Sequence, residues 1–265
     1  MSPKDFFSKI STSEEYQSFR GSIPLKNITV EEDKTWQVFD TGPRGQGNSP
    51  LVCIPPISGT ADMFFRQCLA MSVRGYRVIS VQWPPYWTHE QWCHGFTQLL
   101  DLLGLERVHI FGAALGGFLG RKSVYLKPPP SSTVLPGQKY AETTRGCPRV
   151  ASLVLCNSFT DTAIFRYNDE ATAMWLLPTL ALKRMVMSGL QMGNTDAKIS
   201  EATEFILERL DSLGHSDLAS RLTLSCLKGF VEPQNVNDLP VTIIDVFDEC
   251  SLTQVTCFIH YCDYQ

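Results

Sequence analysis

The chain has 265 residues, 43 % hydrophobic and 19 % charged, the balance of one large globular domain with a substantial core. Acidic residues outnumber basic ones 27 to 23, the net charge is −4, and no basic run is long enough to follow a phosphate backbone, which argues against nucleic acid as a partner. The opening stretch MSPKDFFSKISTSEEYQSF lacks the apolar centre of a secretion signal, and no apolar run approaches the ~20 residues of a membrane span.

Residues 1–18 read as a flexible N-terminus, polar and mixed in charge. Two strands follow at 23–30 and 36–40, joined by a charged turn. The short apolar run at 50–55 suits a buried strand, and the loop Pro56-Ile57-Ser58-Gly59-Thr60 leaves it. Residues 61–73 have a helical apolar set in Phe64, Phe65, Cys68, Leu69 and Met71. A strand at 76–83, an amphipathic helix at 91–103 stopped by Gly104, and a strand at 108–111 come next, with a further strand at 150–157. Strands alternating with helices at this spacing predict an α/β fold, a mostly parallel sheet with helices on both faces. Residues 159–236 contain no convincing parallel strand. They offer helices near 171–187, 197–212 and 216–226, placed where they would form a lid over the strand ends or simply cover the sheet. Residues 241–245 are the last recognisable strand.

Nine cysteines are scattered with no C-x-x-C pair and no cysteine–histidine cluster of zinc spacing. Cys53 and Cys156 fall in predicted buried strands, and Cys93 beside His94 cannot complete a tetrahedral site. The pattern implies reduced thiols, a cytosolic setting, no metal and no cofactor.

The stretch Phe111-Gly112-Ala113-Ala114-Leu115-Gly116-Gly117 carries the most chemical information. It follows a strand, opens a helix, and has the outline G-x-S-x-G of a nucleophile elbow with Ala114 at the serine position. A plain strand–helix junction of small residues is the competing reading; the spacing does not fit the dinucleotide pattern G-x-G-x-x-G. Two segments break the α/β pattern. Residues 121–137 (RKSVYLKPPPSSTVLPG) contain three consecutive prolines that cannot continue the elbow helix, although helix-forming sequence resumes after them. Residues 249–265 form a divergent tail without helical periodicity.

Together, RGSIPLKNITV, PPISGTADMFFRQ, GYRVISVQWPPYW, FGAALGGFL, LVLCNSFTDTAIF, LASRLTLSC and DLPVTIIDVFD resemble the maspardin family of the α/β-hydrolase superfamily over 19–248. The resemblance implies an α/β-hydrolase-like domain with a helical lid at 159–236. It also makes 121–137 a proline-rich insert, because the helix after the elbow is continuous in the family. The family pattern has serine where this chain has Ala114, and it continues beyond Asp248 through a helix, a strand and a final helix. The expectation is therefore an insert-bearing, C-terminally truncated variant lacking its last strand and helices, whose open sheet edge and uncovered apolar surface threaten folding.

Acyl transfer needs a nucleophile, a base, an acid and an oxyanion hole. The hole could persist as the backbone amides of Leu115 and Ile57. Asp248 stands at the family's acid position, as a vestigial acid or an ordinary loop carboxylate. Asp161 reads as a turn or cap. The base belongs after the acid, and His260 follows Asp248 too closely; His89, His94, His109 and His215 precede it. Ser58 and Ser158 lie on no elbow. The expectation is a chain without catalytic residues: a non-catalytic binding protein, with a weak esterase-like or lipase-like serine hydrolase as the alternative. By resemblance, its partners are the cytoplasmic tail of a T-cell co-receptor, whose signalling it dampens, and an aldehyde dehydrogenase relative. Its place by resemblance is the cytosol and, peripherally, endosomal and trans-Golgi membranes. Trp175, Leu176 and Leu177 would line a groove for an apolar peptide or serve as lid core.

Overall fold

A computed structural model of the chain describes residues 8–45, 49–124, 149–165, 173–188, 196–231 and 239–245. Seven strands form one sheet in the order β1-β2-β4-β3-β5-β6-β7. The hairpin β1 (Lys26–Glu31) and β2 (Lys34–Thr41) is antiparallel, and β2 meets β4 (Val78–Gln82) antiparallel. β3 (Leu51–Ile54), β5 (Val108–Ala113), β6 (Val150–Cys156) and β7 (Val241–Ile244) join β4 in parallel register. The expected α/β class, with a mostly parallel sheet, is observed.

Side chains alternate cleanly between the two faces. Trp36, Val38, Val52, Ile54, Ile79 and Val81 join Trp92, Phe96 and Leu99 of α3 (His89–Leu102) and Phe118 of α4 (Leu115–Ser123) in one core. The intervening Phe39, Cys53 and Val78 pack on the other face with Tyr16 and Phe19 of α1 (Glu14–Ser22) and Phe65 and Cys68 of α2 (Phe65–Val73). Central strands buried on both faces require apolar residues at consecutive positions, which explains why β3 and β4 read as continuous runs.

The expectation of a flexible N-terminus over 1–18 is corrected where the structure describes it. Ser13 Oγ caps α1 by accepting from the Tyr16 amide at 3.3 Å, Glu14 and Glu15 occupy the first turn, and Tyr16 and Phe19, three residues apart, are buried on the sheet. Two large anchors fix the segment although its average composition is polar. The segment drawn as an insert also begins differently. Residues 121–123 complete α4, with Arg121 buried, while 125–137 and the tail 249–265 lie outside the described residues.

After β6, a 3-10 turn (Thr162–Ile164) leads to α5 (Thr179–Met187), α6 (Ala197–Ser212) and α7 (His215–Cys226). These helices share a core of Met174, Leu182, Val186, Leu210, Leu213, Leu218 and Leu222. α6 and α7 rest on the loops that follow β3 and β4, as the polar contacts below show.

Candidate functional site

Strand order reverses at β3, whose neighbours β4 and β5 both follow it in sequence. Crevices in open α/β sheets form outside the carboxyl ends of strands at such a point. Here those ends carry the loop after β3, containing Ile57, and the turn after β5, containing Ala114.

The turn has the geometry of an elbow. Ala114 has φ 46° and ψ −115°, a conformation strained for a residue with a Cβ, and it is the N-cap of α4. Its amide donates to Cys156 O at 2.9 Å, which ties the turn to β6, and its carbonyl accepts from Gly117 and Phe118. Glycine is required where the backbones meet. A Cβ on Gly116 would collide with the carbonyl oxygens of Ile54 and Pro55, and one on Gly112 with the backbone of Gly117. The same approach sets the first turn of α4 against the start of the Ile57 loop. As the first helical residue, Leu115 has an amide with no acceptor inside the helix, whereas its side chain is buried. The competing plain-junction reading accounts for the small residues but not for the strained centre.

Other sequence-selected groups have structural roles. Ser158 is fully buried and donates to Ala114 O at 3.1 Å, bracing the elbow from beneath. Ser58 is buried. Asp161 caps the 3-10 turn, accepting from the Ala163 amide at 2.8 Å, in keeping with the capping role expected of it. Cys93 faces the core while the neighbouring His94 is exposed. Burial pushes the thiol of Cys68 up to about 12, with a hydrogen bond from Thr41 opposing the shift, and also raises Cys53 well above its ordinary value.

The described histidines are engaged away from Ala114. His89 Nε2 donates to Leu224 O at 2.7 Å and its Nδ1 accepts from Lys122 Nζ at 3.1 Å. Burial, and then the charge of Lys122, lower its pKa to about 4. His109 Nδ1 lies 2.7 Å from Ser152 Oγ, His215 Nε2 lies 2.8 Å from Leu177 O, and His94 stands 3.9 Å from Glu31. Asp248 and His260 lie outside the described residues. Asp245, which follows β7 directly, has a buried Oδ1 with no partner among the described residues, and its charge, after burial, raises the Cys156 thiol.

Sequence reasoning missed the charged supports of the Ile57 loop. The Arg221 side chain of α7 is completely buried, with Nη1 donating to Ile57 O at 3.0 Å and to Gly59 O at 2.6 Å. Its guanidinium lies 4.6 Å from the centre of the Trp83 ring, and burial lowers its pKa to about 10. Further along the loop, Asp62 is 4 % exposed and accepts from Tyr16 Oη at 2.5 Å, Arg209 of α6 at 2.9 Å, Arg20 at 3.3 Å and Thr60. Burial and Asp62 together hold the Tyr16 hydroxyl above its ordinary pKa. Arg209 also pairs with Glu208, which accepts from Ser8 Oγ at 2.7 Å. One signal was present: Arg221 is the one charged residue in the otherwise small, hydroxylic and apolar run Leu218–Cys226.

One cavity borders the Asp62 end of the loop, and a second lies at the start of α7. The first, of about 350 Å3, is lined by Arg20, Gln37, Asp62, Gln82, Arg209 and Asp217 among others. The second, of about 430 Å3, is lined by Trp87, Trp175, His215 and Ser216. Trp175 and Leu176 are 57 % and 65 % exposed, so they are surface rather than core, while Leu177 packs with the helical cluster.

No family model matches the chain. It is 48 % identical over 247 residues to maspardin of Homo sapiens, covering 92 % of this chain and 74 % of that one. Maspardin of Danio rerio is 46 % identical over 248 residues, covering 93 % and 74 %. Among solved structures, a hydrolase from Pseudomonas aeruginosa superposes with a TM-score of 0.62 at 15 % identity over 91 % of this chain and 87 % of that one. An enol-lactonase from Burkholderia xenovorans gives 0.61 at 16 % over 86 % and 83 %. At such identities these two structures establish the fold alone.

Proposed function

The chain belongs to the maspardin family, on the α/β-hydrolase fold, and from this premise we propose that it is a non-catalytic binding protein. The observation that carries the reading is Ala114 itself: the strained elbow backbone is kept while the side chain at its tip is a methyl group. A methyl cannot attack a carbonyl, and no base can activate it. An elbow without a nucleophile still offers amides and a shaped crevice, which suits recognition rather than turnover.

The partners follow the family resemblance. The cytoplasmic tail of a T-cell co-receptor is the ligand, the outcome is reduced co-receptor signalling, and an aldehyde dehydrogenase relative is a second partner. The setting is the cytosol with peripheral attachment to endosomal and trans-Golgi membranes, where the chain acts in trafficking. The exposed indoles of Trp87 and Trp175 give an apolar segment of the tail a place to lie.

The test pairs two measurements on the purified chain. Calorimetric titration with the co-receptor tail peptide is expected to show binding that Trp175→Ala weakens about tenfold. Short-acyl ester hydrolysis is expected to stay at the uncatalysed rate. Turnover that disappears in Ser58→Ala or Ser158→Ala would overturn the reading in favour of a weak serine hydrolase; tail binding unaffected by Trp175→Ala would move the ligand off that surface.

A further inference from the structure

We propose that Arg221 is the positioning residue of the elbow site: from α7, it sets the conformation of the loop carrying the Ile57 amide. The proposal rests on the reading of that crevice as a binding site and names what holds it in shape. Two carbonyls within three residues, those of Ile57 and Gly59, converge on a single Nη1 at 3.0 and 2.6 Å. Fixing both restricts the torsions on either side of Ser58 and next to the Ile57 amide. Arg221 is fully buried, its Nε and Nη2 have no hydrogen-bond partner among the described residues, and the acidic group acting on it is Asp217, one turn earlier on its own helix. A buried guanidinium with unused donors is a costly way to fill space, and an apolar side chain would pack there more cheaply. What the guanidinium provides is a rigid, planar donor group wedged between the Trp83 ring and the loop carbonyls, which lysine cannot reproduce.

The other end of the loop is held in the same manner by α6. Arg209 reaches Asp62, which also accepts from Thr60, while the Gly59 amide closes the intervening turn onto Pro56 O at 3.0 Å. Both ends of the loop are therefore tied to the helices above it. A ligand that lifts α7 would also release the Ile57 amide, and one that fits beneath it meets a site already formed.

Hydrogen exchange on the full chain tests this without a ligand. In Arg221→Met, amides of the segment 57–63 are expected to exchange about tenfold faster than in the native chain, β3 and β5 staying within about twofold. Arg221→Lys should recover only part of the protection, because an ammonium can donate to both carbonyls but does not lie flat on the Trp83 ring as the guanidinium does. Leu222→Ala, which perturbs α7 on its apolar side, should leave the loop's protection in place. Loop protection in Arg221→Met equal to native, or a loss spread evenly over the sheet, would overturn the proposal. If Arg221→Met does not fold, Arg221→Gln carries the same comparison with an uncharged donor. Tail-peptide titration separates this from the functional reading. Failure of the native chain to bind sinks that reading while leaving the exchange result standing, whereas native binding with unchanged loop exchange in the variants sinks this one.

Discussion

The elbow and the helices above it are built from opposite materials. Around Ala114 the structure relies on missing atoms: Gly112 and Gly116 let backbone touch backbone, and no charged side chain is needed. Around Ile57 and Asp62 it relies on buried charge, with Arg221 and Arg209 reaching down from α7 and α6 to hold a loop. The first arrangement is local and is written in consecutive residues. The second joins residues up to 164 positions apart in sequence. A site whose elbow is fixed by sterics and whose loop is fixed by long-range hydrogen bonds and an ion pair can change the side chain at its tip while keeping its backbone.

The sharpest way to break this contrast is Asp62→Ala. It removes the acceptor that Arg209 and Tyr16 share, leaving Arg209, 15 % exposed, with Glu208 and the Tyr16 hydroxyl, while Arg20, at 42 %, falls back on water. A loss of about 3 kcal/mol in unfolding free energy is expected by denaturant titration, the cost of breaking a mostly buried ion pair. A loss below about 1 kcal/mol would show that the charged contacts only decorate a wall held by apolar packing.

Gly116→Ala probes the floor. The added Cβ meets carbonyl oxygens of β3 and the loop after it, which cannot rotate away, so about 2 kcal/mol of destabilisation is expected from overpacking. A neutral result in the same titration would mean that the first turn of α4 has room to retreat from β3.

His89 links α3 to α7 and gives the contrast a pH signature. Its pKa is depressed to about 4 by burial, so its neutral form favours folding fully above the ordinary histidine value of 6.5. Below that value the unfolded chain takes up the proton first. Stability should then fall by about 1.4 kcal/mol per pH unit down to the folded pKa, where the slope from this group ends. In His89→Gln that slope should be absent, measured as the difference between denaturation midpoints at pH 7 and pH 5.

The smallest effect has the opposite sign. Ala114→Gly relieves a backbone strained for any residue with a Cβ and should stabilise the chain by about 1 kcal/mol, net of the added freedom of the unfolded state. Destabilisation instead would mean that the Ala114 methyl packs usefully at the elbow tip.

How much of the site was legible follows the same division. The elbow outline, the strand before it and the helix after it could be read because turn geometry is set by neighbouring residues, and the three helices after β6 were visible in their periodicity. Helix α1 was missed because Tyr16 and Phe19 are two apolar anchors in a polar segment, and their burial depends on a sheet formed later in the chain. Arg221 and Asp62 lie inside the stretches LASRLTLSC and PPISGTADMFFRQ, and neither stretch shows by itself that the two residues hold one loop.

By itself the sequence determined the α/β class, the order of the strands and of the helices that follow β2, and the methyl at the elbow tip, because each rests on local conformational preference or on the identity of a single residue. Only the tertiary structure decided that Ser158 braces the elbow, that His89 is buried and neutral, and that two arginines of the helical region hold the loop beside Ala114. Those roles depend on desolvation and on hydrogen bonds between distant segments, quantities that exist only once the chain has brought its parts together.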